Sequence, residues 1–311
     1  MKKISVIIPC FNESGNIFPM YERLIEVFKR IEYDYSFIYV NNGSTDSSDK
    51  IFEKLAKKDK KVKVIYLSRN FYKSQGAYSA GIDYADGDAV VLIDGDIQDP
   101  PEKIPELIKK WEGGYSIVYG VRIKRKGSKF RRIAYKLFYR LFHKLSYLKI
   151  PIDAGDFSLL DKKIADIIKK FPERNRYVRG LRAWVGFKSI GVPYIRDERN
   201  IGITTNSLID NINWAIFAII SFSYAPLGLI AWLAFFTVVL TIIAMIVYTV
   251  LYFVYPGNPR GYQTLLITVL FLGGIQLICF SIIAQYLAVI FDEIKGRPKY
   301  IIEKILNDKS V

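Results

Sequence analysis

The chain has 311 residues, 51% of them hydrophobic, enough to bury a sizeable core in one or two domains. Cys10 and Cys279 are too few and too far apart for a disulfide framework or a zinc site, and a lone His143 excludes a His-based metal cluster and a Ser-His-Asp triad. The formal net charge of +15 is concentrated, with eleven Lys/Arg and no acid from Arg122 to Lys149.

From the N-terminus, "MKKISVIIPCFNES" does not make a signal peptide, because its apolar stretch is short and ends in polar residues. Residues 1 to about 210 are therefore expected to stay in the cytoplasm. "ISVIIPCFN" (4–12) reads as a buried strand and residues 17–31 have helical spacing. Residues 35–48 make a second strand and a turn, with Ser44 to Ser48 placed to cap the helix "DKIFEKLAKK". A third strand (62–68), a helix (75–85), a fourth strand (88–94), a helix stopped by Gly113 and Gly114 (102–114) and a fifth strand (116–122) follow. Strands alternating with helices predict an α/β fold, a mostly parallel sheet covered on both faces. In such sheets ligands gather at the carboxyl ends of the strands. The polar clusters at 12–13, 41–46, 69–70, 94–99 and Arg122 all fall there.

"LIDGDIQDPP" (92–101) ends the fourth strand in carboxylates. A DxD pair with an amide two residues on, Asp94, Asp96 and Gln98, offers hard oxygen ligands for Mg²⁺ or Mn²⁺. An ion there clamps a diphosphate and stabilises a leaving nucleotide. The same acids can also simply cap the strand and solubilise a loop.

Next comes the basic stretch. Residues 129–147 place Phe130, Ile133, Leu137, Phe138, Leu141, Phe142 and Leu145 on one helical stripe, with Arg131, Arg132, Lys136, Arg140 and Lys144 largely away from it. Such a helix reads as lying in a membrane interface, where its charge attracts anionic headgroups and a lipid phosphate. Sharing a helix with that apolar face argues against a nucleic-acid partner. Residues 207–225 read as a second interfacial helix, with Trp214 and Tyr224 as anchors. No charged residue lies between Asp210 and Arg260, nor between Arg260 and Asp292. Residues 226–254 and 264–291 are thus read as two transmembrane helices forming a hairpin. The loop between them holds one Arg while both outer flanks are basic, which sets the catalytic domain (1–206) and the tail (292–311) on the cytoplasmic side.

Taken in order, "SVIIPCFNES", "NNGSTD", "LSRNF", "LIDGDIQDPPEKIPELIKKWEGGYSIVYGVR", "DAGDFSLLD" and "RGLRAWVGFK" resemble the family-two inverting glycosyltransferases of GT-A fold. The nearest branch is that of the polyprenyl-phosphate glycosyltransferases, which includes dolichyl-phosphate mannose synthases and bactoprenol glucosyltransferases. The resemblance covers about residues 4 to 200, and the two apolar spans fit the bactoprenol type. It implies transfer of a hexose from a nucleotide diphosphate sugar to a polyprenyl phosphate at the cell membrane, and a homo-oligomer, with a tetramer suggested. It implies metal contact by Asp96 and Gln98 beside Asp94, and a nucleotide-sugar pocket lined by Pro9, Glu13, Asn42, Ser44, Asp46 and Arg69. Arg122 and Arg131 match basic residues that hold the acceptor phosphate; on the basic helix, Lys136 and Arg140 either add contacts to that phosphate or face headgroups. Asp156 matches an acid proposed as base or orienting group.

Two departures stand out. The family usually has Asp-Asp before Gly-Ser, where this chain has Asn41-Asn42. An amide supplies one acceptor and one donor, which suits uracil better than guanine and points to a UDP-sugar. Tyr135 stands where related synthases often have Ser near the acceptor phosphate. Arg179 and Arg182 either reach the donor diphosphate or buttress the fold. Two rival functions are a processive polysaccharide synthase, for which two spans are too few to build a channel in a monomer, and a membrane-anchored nucleotide-sugar binder.

Overall fold

The computed structural model describes residues 1–123, 148, 151, 154–197, 208–254 and 261–308. The basic stretch at 129–147, with Arg131 and Lys136, lies outside these residues.

The first half follows the strand-helix alternation of the sequence. Strands β1 (Lys3–Cys10), β2 (Asp34–Asn41), β3 (Val62–Leu67), β4 (Ala89–Leu92) and β5 (Ile117–Arg122) alternate with helices α1 (Ile17–Phe28), α2 (Ser48–Lys58), α3 (Ser74–Asp83) and α4 (Ile104–Glu112). β1 pairs in parallel with both β2 and β4, and β2 with β3. The strands are apolar runs because both sheet faces are covered. Along β1, Ile4, Val6 and Ile8 enter the core under α1, α2 and α4, while Ile7 joins the opposite core against α3. This is the alternation of a pleated strand.

Three further strands complete an eight-stranded sheet of order β7-β5-β6-β4-β1-β2-β3-β8. β6 (Ala154–Asp161) inserts between β4 and β5 and runs antiparallel to both. After it come α5 (Lys162–Lys170), α6 (Val178–Trp184) and β7 (Ser189–Tyr194), which pairs in parallel with β5. β8 (Ile302–Leu306) comes from the segment read as a tail and runs antiparallel along β3. The fold is thus the expected mostly parallel α/β sheet, with β6 and β8 running against the rest.

Helix α7 (Leu208–Phe222) leads into α8 (Ala225–Val254) and α9 (Tyr262–Ile294). Within α8 and α9, residues 225–251 and 264–294 are long and apolar enough to cross a membrane, with mean hydropathy of 2.7 and 2.5. Their side chains face outward: Phe236, Leu240 and Leu277 are all exposed. The Ser223 hydroxyl accepts from the Ala225 N–H and caps α8. Tyr286 of α9 donates to the Ser223 carbonyl at 2.7 Å, tying the two helices together as a hairpin.

Candidate active site

The carboxyl ends of β1, β2 and β4 lie side by side because these strands are parallel and in close register. β6 runs the other way, so its first residues reach the same edge. Leu92 pairs with Ser158, and continuing that register by two residues sets Asp94 beside Asp156. Val121 pairs with Ala154, which brings Arg122 to the same corner. Residues distant in sequence thus meet through one antiparallel strand.

The loop after β4 is shaped by its backbone. A Cβ at Gly95 would stand 2.7 Å from Cys10 Sγ and 2.8 Å from the Pro9 carbonyl, so only glycine lets the DxD turn cross the end of β1. The Gly95 N–H donates to that Pro9 carbonyl at 3.3 Å. Ile97 has φ +61°, an unusual value for a β-branched residue, in the turn between Asp96 and Gln98. Strain of this kind persists only where the surroundings over-determine it, and it clusters at working sites.

Four carboxylates gather here. Asp94 accepts from Tyr78 at 2.7 Å, and Asp96 from the Gln98 N–H at 3.2 Å. Asp99 is fully buried and accepts from the Tyr194 hydroxyl at 2.6 Å. Burial, then the charges of Asp96, Asp99 and Asp156, push the Asp94 carboxyl up to about 7. Arg196 bridges the loop, its guanidinium 3.9 Å from Asp94, 3.4 Å from Asp96 and 3.3 Å from Asp99.

Asp156 has the opposite surroundings. Arg179 grips it with two hydrogen bonds of 2.9 Å, from Nε and Nη2. Gln75 donates to it at 3.4 Å and accepts from the Val178 N–H at 2.9 Å, fastening α3 to α6 at this point. Burial alone would raise the Asp156 carboxyl, but Arg179, Arg182 and Arg122 overturn that and hold it below its ordinary value. Buried Arg182 is itself lowered to about 10 by desolvation. Arg122 donates to the Tyr194 hydroxyl at 3.0 Å and lies 3.8 Å from Asp99.

The expected nucleotide pocket forms a third cluster at the ends of β1 and β2. Ser44 Oγ accepts from the Asn12 N–H at 3.0 Å, and Asp46 from the Ser14 and Ser48 N–H groups at 3.1 and 3.0 Å. Glu13 accepts from the Asn16 amide. Exposed Arg69 lies over the Phe71 ring, 4.7 Å from its centroid. Gly43, at φ +73°, lets this turn press on Arg69, whose carbonyl carbon would be 2.6 Å from an added Cβ. Asn42 is buried with its amide turned inward: it donates to the Lys73 carbonyl and to Asn70, and accepts from the Phe71 N–H. In this structure its hydrogen bonds hold the 70–73 loop.

The sequence-predicted residues Pro9, Glu13, Asn42, Ser44, Asp46, Arg69, Asp94, Asp96, Gln98, Arg122 and Asp156 therefore share one sheet edge; Arg131 and Lys136 lie outside the described residues. Arg196, Tyr78, Tyr194 and Gln75 were not foreseen. None carried a local signal, since each comes to the site through pairing or packing across the sheet, as Tyr194 does by pairing with Arg122.

The donor set suits a hard divalent cation. Asp94, Asp96 and Gln98 present carbonyl-type oxygens from one loop, and among the described residues no three-residue His/Cys/Asp/Glu cage is built. Mg²⁺ is usually held by one or two carboxylates plus substrate phosphates rather than by an all-protein cage.

The sequence profile described as "Glycosyl transferase family 2" matches residues 5–168. The "Uncharacterized glycosyltransferase YkcC" of Bacillus subtilis (strain 168) is 40% identical over 301 residues, 96% of this chain and 93% of that protein. The "SfII prophage-derived bactoprenol glucosyl transferase" of Shigella flexneri is 38% identical over 308 residues, covering 97% of this chain and 98% of that one. The "Prophage bactoprenol glucosyl transferase homolog" of Escherichia coli (strain K12) is 37% identical over 309 residues, 97% and 99% of the two chains.

Proposed function

The chain belongs to glycosyl transferase family 2, and on that premise we propose that it transfers a hexose, with inversion, from a UDP-sugar to a polyprenyl phosphate. The observation that carries the proposal is the pairing, at one sheet edge, of an acidic loop with an arginine-rich corner whose helix packs on the segment leading to α8. Gly180 of α6 touches the Phe222 ring, the last residue of α7, and Tyr177 lies 5.9 Å from it between ring centroids. On this reading, a lipid-borne phosphate would approach from the α7 side, where the arginines of α6 stand. The relatives named bactoprenol glucosyl transferases support a lipid acceptor, and glucose as the hexose.

Asp94, Asp96 and Gln98 would hold Mg²⁺ or Mn²⁺, which supplies charge stabilisation for the leaving nucleoside diphosphate. Arg122 and the cations around Asp156 would hold the acceptor phosphate, joined by Arg131 and Lys136. Phosphate needs little general-base help because its second pKa is about 6. Asp156, tied down by Arg179, then serves to orient that guanidinium and the acceptor rather than to take a proton. Catalysis is mainly electrostatic, two anionic substrates brought together by charge placed in advance. Pro9, Glu13, Ser44, Asp46 and Arg69 would line the nucleoside pocket, with Asn42 shaping it through the 70–73 loop. The UDP-sugar is kept as donor on the sequence departure at Asn41-Asn42 alone, because the Asn42 side chain holds the 70–73 loop. We place the protein as a multi-pass membrane enzyme with its catalytic domain in the cytoplasm, working as a homo-oligomer.

The test uses purified protein in detergent with polyprenyl phosphate, Mg²⁺ or Mn²⁺ and a panel of UDP- and GDP-sugars, followed by mass spectrometry of the lipid. One hexose is expected to be transferred from a UDP-sugar, and Asp96→Ala to abolish it. Nucleotide-sugar binding with no lipid product would favour a binder, a growing polymer a processive synthase, and tighter GDP binding would sink the UDP assignment.

A further inference from the structure

Arg196 stands two residues beyond β7, the outermost strand on its side of the sheet, yet its guanidinium reaches across to the loop after β4. There it lies within 4 Å of Asp94, Asp96 and Asp99 together. The contact is one of charge more than of directed hydrogen bonds. Its one hydrogen bond to this trio is long, 3.4 Å to Asp96, and Nε has no hydrogen-bond partner although Asp99 is 3.3 Å away. Asp99 Oδ2 is also buried without a partner. Arg179, by contrast, is locked on Asp156 by two bonds of 2.9 Å. Even with Arg122 3.8 Å from Asp99, the three carboxylates outnumber the guanidinium groups beside them, a deficit a divalent ion answers better.

We propose that Arg196 is an exchangeable counter-cation of the acidic loop. It neutralises Asp94, Asp96 and Asp99 when no donor is bound. It yields these carboxylates to the divalent cation that accompanies the nucleotide diphosphate, and then turns to the diphosphate. This rests on the metal-dependent reading above and adds to it a specific coupling. Metal alone must compete with Arg196, whereas metal with diphosphate gives the displaced guanidinium a new anionic partner. The two ligands therefore bind cooperatively through a side chain that holds neither in the donor-free state.

The experiment measures Mn²⁺ binding by electron paramagnetic resonance on the full chain in detergent, without nucleotide and then with UDP. Without nucleotide, Arg196→Gln should bind Mn²⁺ about ten-fold more tightly than the unaltered protein, within the usual range of coupling energies. UDP should tighten Mn²⁺ strongly in the unaltered protein and much less in the variant. Asp96→Asn should remove the signal in both backgrounds, which assigns it to this loop. Arg196→Lys keeps the charge without the fork and should fall between; it carries the test if the glutamine variant fails to fold. Equal or weaker nucleotide-free Mn²⁺ binding in the folded variants overturns the inference and leaves the transferase reading intact. Absence of Mn²⁺ binding from every protein, with and without UDP, would instead bring down the metal-dependent reading on which the inference rests.

Discussion

The acidic loop after β4 and the start of β6 lie against one another, yet they carry opposite electrostatic imbalances. In the loop, Asp94, Asp96 and Asp99 share the loosely held Arg196, with Arg122 near Asp99 alone, and Asp94 is pushed up to about 7 by burial and by its acidic neighbours. At β6, the Asp156 side chain is more deeply buried, 4% exposed against 24% for Asp94, but faces Arg179, Arg182 and Arg122 and is held below its ordinary value. Burial acts the same way on both carboxyls, so the neighbours decide the outcome. The first region is short of positive charge and the second of negative. On the proposed function, a site that receives a cation with a diphosphate on one side and a phosphate monoester on the other would need that asymmetry built in.

The largest expected effect breaks the second region. Arg179→Ala leaves the Asp156 carboxylate buried with its bidentate partner gone, and should cost about 3 kcal/mol, since breaking a buried pair strands a charge. A thermal melt in detergent checks it. Arg179→Lys should recover part of the loss, and a melt unchanged by the alanine variant would show that Arg122 and Arg182 suffice.

The next sharpens the comparison through pH. Asp94 has a raised folded-state pKa, so its contribution to stability is fully present below the unfolded value near 4 and is lost as pH rises through about 7. Asp94→Asn should therefore melt above the unaltered protein at pH 8 in metal-free buffer, by about 2 kcal/mol. The gap should close toward pH 4. Asp156, with a lowered pKa, stabilises above the unfolded value and loses that contribution as pH falls through its folded one. Asp156→Asn should accordingly lose its deficit in acid. Variants whose pH trends run in the same direction would contradict the opposite charging of the two regions.

A smaller effect comes from the membrane side. A Cβ at Gly180 would stand 2.3 Å from the Phe222 ring. Gly180→Ala should thus cost about 1–2 kcal/mol by overpacking. It should also shift α6 with its two arginines, raising KM for the lipid acceptor more than for the sugar nucleotide. Phe222→Ala in the same background should restore the lipid KM in part by reopening the space.

Much of this was legible in the sequence, and the exceptions have physical causes. The runs at 4–12, 35–41, 62–68 and 88–94 were readable as strands because both faces of each are covered, so an apolar run is all they require. The carboxylates announced themselves by interrupting such a run. β6 was read for its Asp156 motif and not as a strand, since pairing across the sheet leaves no local mark. β8 has only five residues, with Glu303 and Lys304 exposed; that polarity suits an edge but hides a strand. Arg196 sits in "YIRDERN", a charged run in which nothing singles out the member that crosses to β4. The resemblance gives Asn42 a base-facing amide because the family has a carboxylate there, whereas in the structure its side chain holds the neighbouring 70–73 loop.

The pairing of β8 with β3 also sets an order of events in synthesis. Val62–Leu67 leave the ribosome long before Ile302–Leu306, and α8 and α9 are made in between. At 5–20 residues per second the interval is roughly 12 to 50 s. For that time the nascent sheet presents β3 as an unpaired edge, a template for adhesion to another chain. Lys63, within β3 and paired with Asp308 just beyond β8, puts a charge on that edge of the kind that deters such adhesion.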